Sequence, residues 1–298
     1  MTSADSQLQR YTKDLAIAYR IYPKVAQSAA GLPFTEDKLQ LSEICLRSFK
    51  ESLGNLRVSM WVLLDACPEG YQDLFRKYFD AEDLVLLPLA GAGNQGTFAR
   101  QIDLLLEQGE SEVVYFAEDD YFYLPHQFRS MVDFLLEHEE VDFVSPYDHL
   151  DCYKLDLHNR PKWLRVHGNR HWRTAGSTCL TFLTRRKTLR ETARVFRSYR
   201  RGAPDCSIWL SLTKARVFNP VFFVQHLFRE KLLRNIILKS WIYLWPQILF
   251  GKKRSLWVPI PGAATHVDTR ALSPNVDWRT LMEKEARSVN ENEVQLKK

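Results

Sequence analysis

The sequence has no stretch of about eighteen consecutive apolar residues, the length that a helix needs to cross a bilayer. Residues 1–14 are polar and lack the apolar core of a secretory signal, so no export is expected. The five cysteines are scattered and form no Cys-x-x-Cys pair, which predicts reduced thiols without disulfides or a zinc site. Together these absences predict a cytoplasmic protein.

A strong charge of either sign is also missing. The net charge of +5 over 298 residues is too small to predict a nucleic-acid partner. It is compatible with a phosphorylated substrate or with a membrane surface. The sequence also has no internal repeat and no low-complexity segment, so we expect a globular domain with a substantial core.

What the sequence does contain is an alternation of strand-like and helix-like segments. Apolar runs at residues 15–22, 57–64, 84–87 and 112–117 predict strands, and amphipathic segments lie between them. This alternation predicts βαβ units on a mostly parallel central sheet flanked by helices. The predicted helices span residues 35–54, 68–79, 97–108, 125–138, 187–199 and 204–213.

The second half gives a weaker pattern. Residues 141–146 and 177–184 predict short strands, and residues 148–173 between them are predicted to be irregular. We expect one domain over residues 15–278, after a polar lead-in at 1–14 and before a polar, frayed tail at 279–298.

Three carboxylates, Glu118, Asp119 and Asp120, directly follow the apolar run that ends at Ala117. Unpaired carboxylates are costly on a strand buried on both faces, so the strand is expected to end before them. In open α/β sheets ligands bind at that end of the strands. Because side chains alternate, Glu118 and Asp120 are predicted to share one side. Such a pair suits a divalent cation carrying a phosphate, and a solvated acidic turn is the alternative.

Two other features lie at the same predicted edge of the sheet. Asp65 follows the second strand, and Asn94 and Gly96 precede a predicted helix whose N–H groups could bind an anion. Helix capping by Asp65 and a tight turn at Gly96 explain each feature on its own.

The order of these motifs resembles that of GT-A-type glycosyltransferases, in particular the large family-2 group of nucleotide-sugar enzymes. The likeness covers residues 15–125 well and continues more loosely to His266. Two departures are Glu-Asp-Asp in place of the commoner Asp-x-Asp and Gln101 in place of Asn. The residues that carry the likeness are Tyr19-Arg20-Ile21-Tyr22, Asp65, Asn94-x-Gly96-x-x-Ala99-Arg100-Gln101 and Glu118-Asp119-Asp120.

The resemblance implies a GT-A fold in which residues 15–125 bind a nucleotide sugar, with UDP as the expected nucleotide, and residues 126–278 bind the acceptor. It also implies a divalent cation, Mn²⁺ or Mg²⁺, held on the diphosphate by Asp120. The donor-binding residues that it implies are Arg20, Asp65, Asn94, Gly96, Arg100, Glu118, Asp119 and Gly176.

Three later positions match motifs of the same fold. Gly176 resembles the glycine that lies close to the donor sugar, and a turn before a strand is the alternative. Asp205 resembles the catalytic carboxylate, which in inverting members takes the proton of the acceptor hydroxyl, and helix capping is the alternative. His266 resembles the C-terminal histidine that supplies a metal ligand, and a structural histidine is the alternative.

Residues 228–257 mix aliphatic and aromatic side chains with lysine and arginine. Three interpretations are open: a buried helix pair that closes the acceptor side, a peripheral contact with the inner face of a membrane, or a nucleic-acid surface. The modest charge ranks the last of these lowest.

The predicted function is metal-dependent, inverting transfer of a sugar to a hydroxyl of a glycan or lipid-linked glycan, as in polysaccharide biosynthesis. A nucleotidyltransferase is the nearest alternative, but such enzymes usually have a glycine-rich loop after the first strand. Residues 23–28 contain no glycine. A non-catalytic protein that binds a nucleotide or a glycan on the same fold is the other alternative.

Overall fold

The computed structural model describes residues 11–24, 37–159, 161–222 and 231–296. The strands of this part are β1 (Leu15–Ile21), β2 (Val58–Asp65), β3 (Leu84–Leu89), β4 (Val113–Glu118), β5 (Tyr121–Tyr123), β6 (Phe143–Val144), β7 (Leu164–His167), β8 (Arg170–Ala175), β9 (Phe182–Arg185), β10 (Leu256–Ile260) and β11 (Ala264–His266). The helices are α1 (Lys38–Leu53), α2 (Gly70–Tyr78), α3 (Gly93–Glu107), α4 (Phe128–Glu137), α5 (Asp151–Lys154), α6 (Arg186–Phe196), α7 (Asp205–Thr213), α8 (Lys231–Phe250) and α9 (Trp278–Leu296).

A nine-stranded sheet in the order β3-β2-β1-β4-β9-β6-β10-β8-β7 forms the centre of the molecule. Strands β3, β2, β1 and β4 are parallel neighbours, and β9 and β8 run against the other strands. The predicted α/β class with a mostly parallel central sheet is therefore confirmed. The carboxyl ends of the parallel strands form one edge, where the three acids lie.

Helices cover the sheet on both faces. Alternate residues of β1 point to opposite sides, so Ile17 packs with α1, α2 and α4 while Ala18 packs with α3, α6 and α7. Both layers are rich in aromatic rings: Phe182 stacks on Phe116 with centroids 4.5 Å apart, for example. Because both faces of the sheet are closely packed, the strands are rigid and hold the polar groups at their ends in fixed positions.

A second, two-stranded sheet joins β5 to β11. The antiparallel pairing places His266 opposite Tyr121, and the Val267 N–H donates to the carbonyl oxygen of Asp120 at 2.9 Å. Through this pairing the C-terminal part of the chain contacts the acidic motif directly.

The prediction that residues 148–173 are irregular is wrong over most of its length. Strands β7 and β8 form a hairpin at the far edge of the central sheet, joined by Gly168 and Asn169. Gly168 has a φ of +59°, as the tight turn requires. At the other end of the segment, fully buried Asp148 pairs with Arg173. Its strands β8 and β7 are the fourth and fifth from β4 in the sheet order.

Residues 279–296 are not the predicted frayed polar tail, because α9 packs on α1; residues 297 and 298 lie outside the described part. Trp278, Met282, Ala286 and Val289 are buried at helical spacing, and Trp278 donates its indole N–H to the Ser273 carbonyl at 2.8 Å. The opposite face of the helix is charged, which gives the segment its polar composition.

Residues 228–257 also differ from the first interpretation of a buried helix pair. Residues 228–230 lie outside the described part, and the rest forms the single helix α8, a loop and the start of β10. Within the described residues, no helix is long and apolar enough to cross a membrane.

Replacement of Trp278 by alanine tests the packing of α9. Trp278 is 1% exposed, and its loss leaves a cavity against α1, so we expect Trp278→Ala to lower the free energy of unfolding by about 3–5 kcal/mol. The measurement is chemical denaturation, with exposed Arg279→Ala as the control, expected to stay within about 0.5 kcal/mol of the parent. Equal, small effects of both changes would contradict a docked helix.

Candidate functional site

A cavity of about 330 Å³ opens at the carboxyl ends of β1, β2 and β4. Its position is the one expected for a ligand site in an α/β sheet. The lining brings together residues of four separate motifs named from the sequence and adds Gly93 and Thr97. The residues that line it are Arg20, Ile21, Tyr22, Asp65, Gly93, Asn94, Thr97, Glu118, Asp119 and Asp120.

Glu118 is the last residue of β4 and lies directly beside Arg20 of β1 in the parallel pairing. The Arg20 guanidinium donates to Glu118 Oε1 and, at 2.9 Å, to the carbonyl oxygen of Asn94. Thr181 donates to Glu118 Oε2 at 2.5 Å. Both oxygens of Glu118 are therefore engaged, and the Arg20 guanidinium links β1 to β4 and to the first turn of α3.

Asp119 has a different cation. Lys38 at the start of α1 pairs with Asp119 Oδ2 at 2.7 Å, and the Tyr22 N–H donates to the same oxygen at 3.3 Å. Burial raises the pKa of Asp119 and the charge of Lys38 opposes that rise. Asp119 thus connects the end of β1 to the start of α1.

Asp120 pairs with His266, whose Nε2 lies 3.0 Å from Asp120 Oδ2. Burial alone raises the carboxyl pKa, but the charge of His266 and its hydrogen bond lower the pKa of Asp120 to about 2. Burial lowers and Asp120 raises the pKa of His266, with a net rise to about 9. The second carboxylate oxygen, Oδ1, is buried and has no hydrogen-bond partner in the described part of the chain.

The expected alternation, with Glu118 and Asp120 on one side and Asp119 on the other, does not describe the site. Asp119 and Asp120 form a turn, so the extended geometry stops at Glu118 and all three acids border one cavity. What separates them is the partner of each: a guanidinium, an ammonium and an imidazole.

Asp65 caps helix α3 across a distance of 27 residues. Its two oxygens accept the Ala92 N–H at 2.6 Å and the Gly93 N–H at 2.8 Å. Helix α3 therefore begins at Gly93 rather than at residue 97, and Asn94 and Gly96 lie in its first turn instead of in a loop. Asp65 lines the cavity, but its carboxylate is already bound to backbone N–H groups.

Not every predicted donor residue lines the cavity. Arg100 is exposed on α3 and is absent from the lining. The adjacent Gln101 is fully buried and donates its amide to the carbonyl oxygens of Ala18 at 2.7 Å and Ala117 at 3.0 Å. Gln101 therefore ties α3 to β1 and β4 just below the acids.

Asp205 and Gly176 also lie outside the cavity lining. Asp205 begins α7 and accepts the Cys206 N–H at 2.7 Å. Burial raises the pKa of Asp205, the hydrogen bond from Cys206 opposes it, and the nearby charge of Glu118 adds to the rise. Gly176 is buried, and its carbonyl accepts a hydrogen bond from Thr213 at 2.9 Å, which anchors the loop after β8 to α7.

One further side chain contacts the acidic motif and was not predicted from the sequence. Thr181 donates to Glu118 and completes the partners of that carboxylate.

Few side chains of the site could bind a metal ion. Among the described residues no group of three or more His, Cys, Asp or Glu side chains could hold an ion. Asp120 and His266 offer one carboxylate and one imidazole, and Asp120 Oδ1 is the buried oxygen without a partner. Two protein ligands fit a cation that takes its remaining ligands from water and substrate phosphates.

No protein-family model matches the chain, and no curated protein sequence matches it. Among solved structures, the galactosyltransferase LgtC, in complex with donor and acceptor sugar analogs, is 11% identical, with 92% of this chain and 95% of that chain covered and a TM-score of 0.45. The glycosyltransferase GlyE of Streptococcus pneumoniae is 14% identical, with 96% and 64% covered and a TM-score of 0.44.

TarS of S. aureus, residues 1–349, is 15% identical with a TM-score of 0.36; the alignment covers 60% of this chain and spans about half, 49%, of TarS. A cytidylyltransferase from Leptospira borgpetersenii is also similar, at 10% identity and a TM-score of 0.34. The fold assignment rests on this chain's own sheet order, and the functional proposal rests on its side chains.

Replacement of Lys38 tests the electrostatics of the acidic turn. Lys38 and Asp119 are 8% and 13% exposed, so Lys38→Met leaves a buried carboxylate without its cation. We expect the free energy of unfolding to fall by about 3–5 kcal/mol in chemical denaturation. Exposed Lys284→Met is the matched control, with an expected change below about 0.5 kcal/mol. A Lys38 variant as stable as this control would contradict the pairing.

Proposed function

We propose that this chain is a metal-dependent, inverting glycosyltransferase that moves a sugar from a nucleoside diphosphate, UDP in the first instance, to a hydroxyl of a glycan or lipid-linked glycan. One observation carries the proposal: in a cavity at the carboxyl edge of the sheet, Asp120 keeps a buried oxygen without a hydrogen-bond partner. Asp120 is paired with His266 through Oδ2, and its other oxygen can accept a ligand, whereas both oxygens of Glu118 are engaged and Asp119 is paired with Lys38.

The charge of the cavity supports the need for a metal. Four carboxylates line it, those of Asp65, Glu118, Asp119 and Asp120, and three of them are paired with Arg20, Lys38 and His266, so the acids exceed the cations by one. The carboxylates repel a diphosphate that enters the cavity unless a cation accompanies it. A bound divalent ion would be the largest local charge and would attract the diphosphate. Asp120 and His266 would hold that ion.

The chemistry that such an ion supplies is stabilisation of the negative charge on the departing nucleoside diphosphate. The chain's own residues fix the geometry around it. Arg20 and Thr181 hold Glu118, and Asp65 fixes the first turn of α3, which forms one wall of the cavity. Side chains held in this way need no reorganisation during the reaction.

Asp205 would be the general base. Burial raises the pKa of Asp205 above the ordinary value of 3.8, and the nearby charges of Glu118 and Arg20 also act on this carboxylate. A carboxylate of higher pKa is a better acceptor for the proton of the attacking hydroxyl. The ionised form is the active one, so activity is expected to fall as the pH falls through this raised pKa.

Replacement of Asp205 by asparagine tests that role. We expect Asp205→Asn to lower transfer from the active nucleotide sugar roughly 10²- to 10⁴-fold, while binding of the nucleotide is retained. The measurement is turnover on a panel of nucleotide sugars with Mn²⁺ or Mg²⁺, with exposed Asp277→Asn as the matched control. An Asp205 variant with the parental rate would remove the residue from the mechanism.

The same panel separates the proposed activity from its alternatives. Release of a nucleoside diphosphate with sugar transfer or hydrolysis supports a glycosyltransferase. Formation of pyrophosphate from a nucleoside triphosphate and a sugar phosphate would indicate a nucleotidyltransferase. Metal-dependent nucleotide binding without turnover on any donor would indicate a non-catalytic binding protein.

A further inference from the structure

Helix α8 carries two apolar faces, and only one of them packs on the described part of the molecule. Leu233, Ile237, Leu244 and Ile248 are buried against α7 and its neighbours. A surface helix of a globular protein usually has a single apolar stripe that faces the core. The second stripe on α8 is therefore a feature that the fold itself does not require.

The second stripe, called here the outer face of α8, points to solvent. Its side chains recur at helical spacing, and their exposed fractions are 38% for Leu238, 67% for Ile242, 50% for Trp245, 47% for Leu249 and 79% for Phe250. The rings of Trp245 and Phe250 lie near each other, with centroids 6.4 Å apart. Contiguous exposed apolar side chains of this kind mark interaction sites.

A cavity of about 560 Å³ joins the outer face to a set of cations. Ile242, Trp245 and Phe250 line it together with Arg194 of α6, Arg201 of the following 3₁₀ turn and Glu191, whose carboxylate pairs with Arg254. The cavity thus combines apolar side chains with two guanidinium groups and one carboxylate that is already paired. That combination suits a ligand with an acyl chain and a phosphate.

The charge around the outer face is mostly positive. Residues 231–254 contain six lysine and arginine residues and no acid, and residues 186–201 contain seven with Glu191 as the one acid. Glu191 pairs with Arg254 rather than with the solvent-facing cations. The exposed cations of the two segments are Lys187, Arg190, Arg194, Arg197, Arg200, Arg201, Lys231, Lys239, Lys252 and Lys253.

We propose that the outer face of α8 docks on the anionic surface of a lipid bilayer, with the helix lying in the plane of the interface. An apolar stripe with Trp and Phe, flanked by basic and not by acidic side chains, is the pattern of such helices. Each basic residue near an anionic surface adds to the attraction, and the two basic segments act together. The core of a protein–protein interface, by contrast, is depleted of lysine.

The basic segment at residues 186–201 is followed closely in the chain by the proposed base, Asp205. After Arg201 the chain turns at Gly202, which has a φ of +97°, and enters α7 at Asp205. Resting on the proposed function, this continuity favours an acceptor linked to a lipid of the same membrane. The docking itself does not rest on that function, because the test below reads no turnover.

Flotation of the full chain with liposomes tests the proposal. We expect the protein to float with vesicles that contain phosphatidylglycerol and to stay in the dense fraction with vesicles of phosphatidylcholine alone. Added salt should reduce flotation, because screening weakens the attraction of the exposed cations. A folded parental protein that does not float with the anionic vesicles overturns the proposal.

Two double variants separate the apolar and the charged parts. Ile242→Ser with Trp245→Ser is expected to lower partition to anionic vesicles by roughly tenfold or more. Its matched control is Leu164→Ser with Val166→Ser, which changes apolar side chains of β7 that are 67% and 64% exposed. Arg194→Gln with Arg201→Gln is expected to lower partition by roughly tenfold, with exposed Arg279→Gln and Arg287→Gln as the control.

Melting temperatures of all variants show that each is folded. Loss of flotation in the α8 pair and in the arginine pair, but not in their controls, supports docking through the outer face. Equal loss in the β7 pair overturns it, because the effect would then come from general surface hydrophobicity. A parental protein that sediments as a dimer, becomes a monomer in the α8 variant and does not float also overturns it, in favour of a second copy as the occupant.

Discussion

The structure depends on giving each of three adjacent carboxylates its own cation. Burying three negative charges at the end of one strand is prohibitive unless each is paired or bound. Glu118 takes the guanidinium of Arg20, Asp119 takes the ammonium of Lys38, and Asp120 takes the imidazole of His266. The three cations come from β1, α1 and β11, so satisfying the acids fixes the relative positions of these elements.

Because their partners differ, the three acids have different roles. A guanidinium and an ammonium keep their charges throughout the physiological pH range, so Glu118 and Asp119 are permanent structural links. The pair with Asp120 raises the pKa of His266 to about 9, so on the proposed function the binding of a cation by Asp120 and His266 would displace the proton of His266.

The sheet edge was predictable because its signal is local. The apolar run before Glu118 and the strand before Asp65 give the edge, and the order of motifs gives His266. The pairing of Lys38 with Asp119 was not predictable, since the two residues are 81 positions apart and no periodicity relates them. The hairpin of β7 and β8 has a sequence signal in the Gly168-Asn169 turn, but its strands are too short for a clear alternation. Helix α9 has apolar residues at helical spacing from Trp278, but the polar composition of the segment hides them.

The claim that Asp120 is the acid available to a cation is tested most directly by calorimetric titration of UDP with and without Mn²⁺. The account predicts that the parent and Asp119→Asn bind UDP more tightly when Mn²⁺ is present, and that Asp120→Asn loses this dependence. Binding of UDP that ignores Mn²⁺ in the parent, or an Asp120→Asn protein with the full metal dependence, would contradict it.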